Sequence, residues 1–134
     1  MSEESRVLAG VLLLALVTVE TGGLYLVRVV RGHAPTTQFQ TSFARAGHAH
    51  AGVLLVLALM CQLLADETGQ RGLWDWLSRS GVALAALLMP AGFFFCSMGQ
   101  DRTEPSRLIV LVFAGALVLA AGLTSLGVGL LTAG

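Results

Sequence analysis

Four long apolar stretches, residues 7–30, 41–65, 81–99 and 107–131, decide what this chain can become. Each is close to the ~20 residues an α-helix needs to cross the hydrocarbon core of a bilayer. Only 12% of the 134 residues are charged, against about 25% in soluble domains, and the mean hydropathy is +0.79. Inside lipid every backbone polar group has to be satisfied within the protein, so stretches of this length become helices. The expectation is an all-α membrane protein. It has one domain over residues 1–134, with four transmembrane helices in an antiparallel up-down arrangement, in contact with membrane lipid. A formal charge of zero argues against nucleic acid as a partner. Met1-Ser2-Glu3-Glu4 is acidic and no small-residue cleavage site follows it, so no signal peptide is expected.

The informative exceptions to this apolarity lie in the first two stretches. Arg45-Ala46-Gly47-His48-Ala49-His50-Ala51-Gly52 sets two imidazoles and a guanidinium among small residues. Ionisable groups at membrane depth are costly and are usually paired or used. Glu20 is the one carboxylate deep in any stretch. Because the second helix returns antiparallel to the first, Glu20 and the histidines are expected at a common depth. With a helix start at Thr41 or Ser42, either of which can cap, the histidines fall roughly 10–15 Å inside the membrane.

Residues two apart on a helix diverge by about 200°, so His48 and His50 cannot both bind one ion from one regular helix. Arg45 precedes His48 by one turn and shares its face. It can hold an acidic ligand group or snorkel to the headgroups. Ala46, Gly47, Ala49, Ala51 and Gly52 leave room for a flat macrocycle bound end-on to an imidazole. They equally suit close helix packing through small residues.

Elsewhere the sequence reads as scaffold. Trp74 and Trp76 fit an interfacial aromatic belt, and Leu73, Trp74, Trp76 and Leu77 suggest a short surface helix. Pro90 can kink the third span. Gly115, Gly122 and Gly129 recur every seven residues and mark a packing seam, within or between subunits. Cys61 and Cys96 fall near the ends of consecutive antiparallel spans, hence on opposite membrane sides, and read as packing residues. Met89 and Met98 are read as filler before ligands, and His33 as a solvated loop residue.

The His-X-His of the second span resembles the haem-bearing helix of haem-copper oxidase catalytic subunits. There, arcs of four helices form a pseudo-threefold ring, and the paired imidazoles face two different pores. Gly-His-Ala-His-Ala-Gly is also similar to small actinobacterial four-span proteins. The oxidase copper-site histidines and cross-linked tyrosine have no counterpart here, so the resemblance does not extend to oxygen chemistry. It implies a homo-oligomer, a trimer first, with haem b held between His48 of one copy and His50 of the next. Arg45 would then lie at the propionates and Glu20 beside an imidazole or the iron, with an unknown redox partner. It also implies cytoplasmic termini in the plasma (inner) membrane. Against this, Arg28, Arg31, Arg102 and Arg107 slightly outnumber Arg6, Arg71 and Arg79 and lean the opposite way under the positive-inside rule. Two other readings stand: a Zn, Fe or Cu site or transporter using Glu20 with a histidine, and an accessory subunit without cofactor.

Overall fold

The computed structural model describes residues 1–134 and contains four long helices: α1 (Glu3–Val30), α2 (Gln38–Ala65), α3 (Leu73–Ser97) and α4 (Val110–Thr132). All four are long and apolar enough to cross a membrane. A short 3₁₀ turn, Arg107–Ile109, leads into α4. There is no sheet, and the protein is a four-span helical membrane protein.

The helix starts follow local chemistry more than the edges of the apolar runs. Ser2 caps α1, accepting from the Ser5 N–H. Thr37 caps α2 in a reciprocal capping box with Gln40, so the helix begins several residues before Thr41 and Ser42. This satisfies two N–H groups that the first turn leaves orphaned. The histidines accordingly lie roughly 15–18 Å along α2 from its start. Leu73, Trp74, Trp76 and Leu77 form the first turns of α3 itself, not a separate surface helix. Pro90 is buried inside α3, which runs unbroken through it.

The helices stand in a row: α1 packs on α2, α2 on α3 and α3 on α4. Neither α1 and α3 nor α1 and α4 form a packed interface. The arrangement is thus an open arc. Its core is centred on α2 and α3 and contains Leu54, Leu55, Ala58, Cys61, Val82, Ala85 and Met89, with Leu12 from α1 and Leu126 from α4.

The α3–α4 contact is the tightest. A Cβ on Gly81 would come within 2.7 Å of the Gly122 Cα, and one on Gly115 within 2.5 Å of Met89. Only glycine permits that approach. The seven-residue glycine repeat is therefore a seam within the subunit. At one end of the seam Ser78 donates to Ser125, and Ser125 donates to the Trp74 carbonyl. At the other end of the molecule, Gln40 of α2 donates to the Ser97 and Gly99 carbonyls, holding the end of α3.

Candidate functional site

The structure sends the two histidines of α2 to different neighbours. His48 lies against α1, where the backbone of Gly22 and Gly23 receives its ring. A Cβ on Gly22 would stand 3.1 Å from Nδ1, and one on Gly23 3.5 Å from Cε1. The Gly22-Gly23 pair thus makes the seat for the imidazole. It also fixes the register: residues 20–23 of α1 lie at the level of His48. A glycine pair inside an apolar helix is a signal for close approach, and it was open to reading in the sequence.

His50 turns towards α3. Its ring centroid is 4.9 Å from that of Phe93 at 38°. Phe93 in turn meets Phe43 edge-on at 5.6 Å, and Phe43 stacks obliquely on Phe39 at 4.3 Å. Nδ1 of His50 lies 2.7 Å from the Ala46 carbonyl oxygen one turn back. A carbonyl can only accept, so the proton sits on Nδ1 and Nε2 is left with its lone pair in the neutral ring. Metal-ligating histidines are commonly oriented in this way, with the second nitrogen donating to a carbonyl or carboxylate. A shallow cavity of about 180 Å³ lies beside His50, lined by Ala49, Val53 and Leu54.

The small-residue collar divides between two purposes. Gly47 is buried under the ring of Phe94, 3.0 Å from where its Cβ would be, so its smallness serves packing against α3. Gly52 faces open space with nothing within 4 Å of a Cβ, and Ala49 is exposed. Ala49 borders the cavity beside His50, whereas Gly52, one turn after His48, lies on the other side of α2.

Glu20 and Arg45 are both exposed on the uncovered sides of α1 and α2. The ion pairs within the chain involve Asp66, Asp75, Glu3, Arg6, Arg79 and the terminal amine, and neither Glu20 nor Arg45 is among them. Glu20 thus shares the level of His48 without touching it by a hydrogen bond. No three His, Cys, Asp or Glu side chains converge anywhere in the chain. Within one copy His48, His50 and Glu20 stand apart.

Above His48, towards the α1–α2 connector, a cavity of about 590 Å³ is lined by residues that include Thr21, Gly22, Tyr25, Gln40, Ser97 and Met98. Met98 ends α3 here and is exposed, whereas Met89 is buried against Gly115. Cys61 and Cys96 are buried free thiols. His33 is an exposed connector residue.

Asp66 and Arg79 form a second polar centre. Asp66 accepts from Arg79 Nη1 at 2.6 Å, from the Ser5 hydroxyl at 3.0 Å and from the Ser2 N–H at 2.7 Å. Arg79 also reaches Asp75 at 2.8 Å and the Ser5 hydroxyl. The Arg79 guanidinium, helped by these donors, holds the Asp66 carboxyl far below the usual carboxylate range. This knot ties the start of α1 to the α2–α3 turn. Its members are scattered over the sequence, so no spacing announces it.

Compared with known proteins, the chain matches no family model, no curated protein and no solved structure.

Proposed function

We propose that this protein binds haem b within the membrane, its iron held by His48 of one copy and His50 of the next, and that it transfers electrons or handles haem. The observation that carries this reading is the divergence of the two imidazoles. They leave opposite sides of α2, and no third ligand in the same chain joins either of them. A single copy therefore offers one imidazole per face, which is half of a bis-histidine site.

The donor set fits that group. His50 carries its proton on Nδ1 against the Ala46 carbonyl, which leaves the Nε2 lone pair free for iron. His48 rests with Nδ1 and Nε2 against the Gly22-Gly23 backbone of its own α1, and would meet iron between copies with its ring turned from that seat. Arg45, free of any ion pair, is available to neutralise a propionate. Glu20 would approach the imidazole at its own level once a neighbouring copy covers α1. Bis-histidine haem iron supplies one-electron exchange without an open coordination position.

The open arc supports assembly. Only 6% of the most apolar 18-residue stretch of α1 is buried within the chain, and Glu20 at membrane depth faces outward unpaired, an expensive state in lipid. Closed cyclic symmetry would cover such faces, and three four-helix arcs would form a ring of the oxidase kind. In that arrangement the chain is a plasma-membrane protein with both termini cytoplasmic and a separate redox partner.

The test is an absorption spectrum of detergent-purified protein before and after dithionite. The expected result is a Soret band that shifts on reduction and disappears in both His48→Ala and His50→Ala, with an oligomer in multi-angle scattering. Colourless protein with one equivalent of zinc, iron or copper, lost in Glu20→Gln, would move the function to a non-haem metal site. Colourless, metal-free protein that haem does not convert would end the proposal.

A further inference from the structure

The arc leaves a cleft between α1 and α3, and two cavities in it are continuous. The upper one, about 680 Å³, is lined by Glu3, Glu4, Leu8, Asp75, Trp76 and Arg79 among others. The lower one, about 340 Å³, shares Leu8, Trp76 and Ser80 with it and is otherwise walled by apolar side chains from Val11 to Leu87, with Leu55 of α2 among them. Both volumes lie within the ~300–1,000 Å³ of small-molecule sites. The combined shape is a polar mouth at the membrane surface above an apolar shaft.

We infer that this cleft binds one phospholipid bearing a free ammonium headgroup, of the phosphatidylethanolamine class. Length is the first argument. From Trp76 to Leu87 the shaft runs roughly 16 Å along α3, close to the ~15 Å that one leaflet contributes to the hydrocarbon core. An acyl chain entering at the Trp76 level therefore fits the shaft without crossing the midplane. The second argument is charge. Glu3, Glu4 and Asp75 line the mouth with Arg79; Arg79 is engaged by Asp66 and Asp75, and Glu3 stands 4.0 Å from Arg6. Glu4 has no ion-pair partner. The mouth is therefore net acidic, which favours a headgroup with a cation at its outer end and rejects one with net negative charge.

Donors line the same mouth, where a phosphate would sit. The hydrogen bonds of Arg79 run through Nε and Nη1, leaving Nη2 free. The Trp76 indole and the Ser80 hydroxyl also have no partner within the chain, and both line the two cavities. Carboxylates side by side with free N–H and O–H donors match a headgroup that carries both an ammonium and a phosphate. A compact primary ammonium makes hydrogen bonds with carboxylates that a trimethylated one cannot, which sets the expected order within zwitterionic lipids.

The inference is independent of haem and is tested by native mass spectrometry of protein extracted from nanodiscs. The discs contain phosphatidylethanolamine, phosphatidylcholine and phosphatidylglycerol in equal amounts. One phosphatidylethanolamine per chain is expected to be retained over phosphatidylglycerol by about tenfold, equivalent to ~1.4 kcal/mol. Glu4→Gln should remove most of that preference, and Leu84→Trp, which fills the shaft, should remove retention altogether. Val11→Trp serves the same purpose from the α1 side, so that misfolding of one variant leaves the other to decide. Equal retention of the three lipids, or retention unchanged in Glu4→Gln and in both tryptophan variants, overturns the site. So does a photo-crosslinker at position 84 that captures a second copy of the chain in place of lipid.

Discussion

The two halves of the molecule are finished to different degrees. Half of the most apolar 18-residue stretch of α3 is buried within the chain, against 6% of that of α1. α3 meets α4 backbone to backbone through Gly81 and Gly122 and carries the hydroxyl relay of Ser78 and Ser125. α1 touches α2 along one side, contributes Leu12 to the core, and leaves Glu20 and a row of large apolar side chains uncovered. The lesson is that the α2–α4 portion is stabilised by its own packing, while α1 is held by its start, by one side against α2 and by whatever covers it in the membrane. Both imidazoles leave α2 between these regimes, His48 against the loosely held α1 and His50 beside the well-packed α3.

The sharpest break of this comparison is a side chain forced into the α3–α4 seam. Gly122→Leu has no room, since even a Cβ there meets the Gly81 Cα at 3.0 Å. Overpacking costs ~1–3 kcal/mol and can exceed that when backbone must move, so loss of monodisperse protein is expected on gel filtration. Gly10→Leu on α1 is the control. Nothing lies within 4 Å of its Cβ, and its unfolding midpoint should match the wild type.

Next in size is the polar knot that holds the end of α1. Arg79→Met leaves Asp66 without its main partner, and loss of a charge-assisted hydrogen bond costs ~1.5–3 kcal/mol. The same contact gives a pH dependence of definite sign. The folded carboxyl of Asp66 is held below its unfolded value, so its stabilisation is complete above about pH 4, the unfolded value. It is lost as pH falls below that towards the folded value. Thermal unfolding in detergent should therefore show the wild type losing more stability between neutral and acid pH than Asp66→Asn. Equal losses would remove Asp66 from the account of how α1 is anchored.

The smallest expected effect is the most diagnostic of the uncovered half. Glu20→Leu should leave the stability of the isolated subunit unchanged or slightly raised, because Glu20 is exposed and joins no ion pair within the chain. Its effect should appear in cofactor retention or assembly, read by absorbance and light scattering. A destabilised monomer would mean that α1 is packed more completely than the arc indicates.

Much of this was legible in the sequence. The four apolar stretches gave the four helices because lipid leaves the backbone no alternative at that length. The 200° divergence of His48 and His50 followed from helical pitch and is what the structure contains, one ring on α1 and the other by Phe93. The shared level of Glu20 and His48 followed from antiparallel order. The true start of α2 was missed because Thr37 and Gln40 cap it in a polar stretch outside the apolar window, and hydropathy is blind to caps. The Asp66–Arg79 knot was missed because its members are neighbours only after folding.

By itself, then, the sequence determined the number of helices, their order through the membrane and the opposed directions of the two imidazoles, since each depends only on local geometry and on the solvent around one helix. Tertiary structure alone decided that the helices form an open arc, that the glycine seam joins α3 to α4 within a subunit, and that Gly22 and Gly23 seat His48. It also placed Glu20 outward. These depend on how far each helix is rotated about its axis against its neighbours, which is set by side-chain volumes meeting across interfaces, a quantity no single helix carries in its own residues.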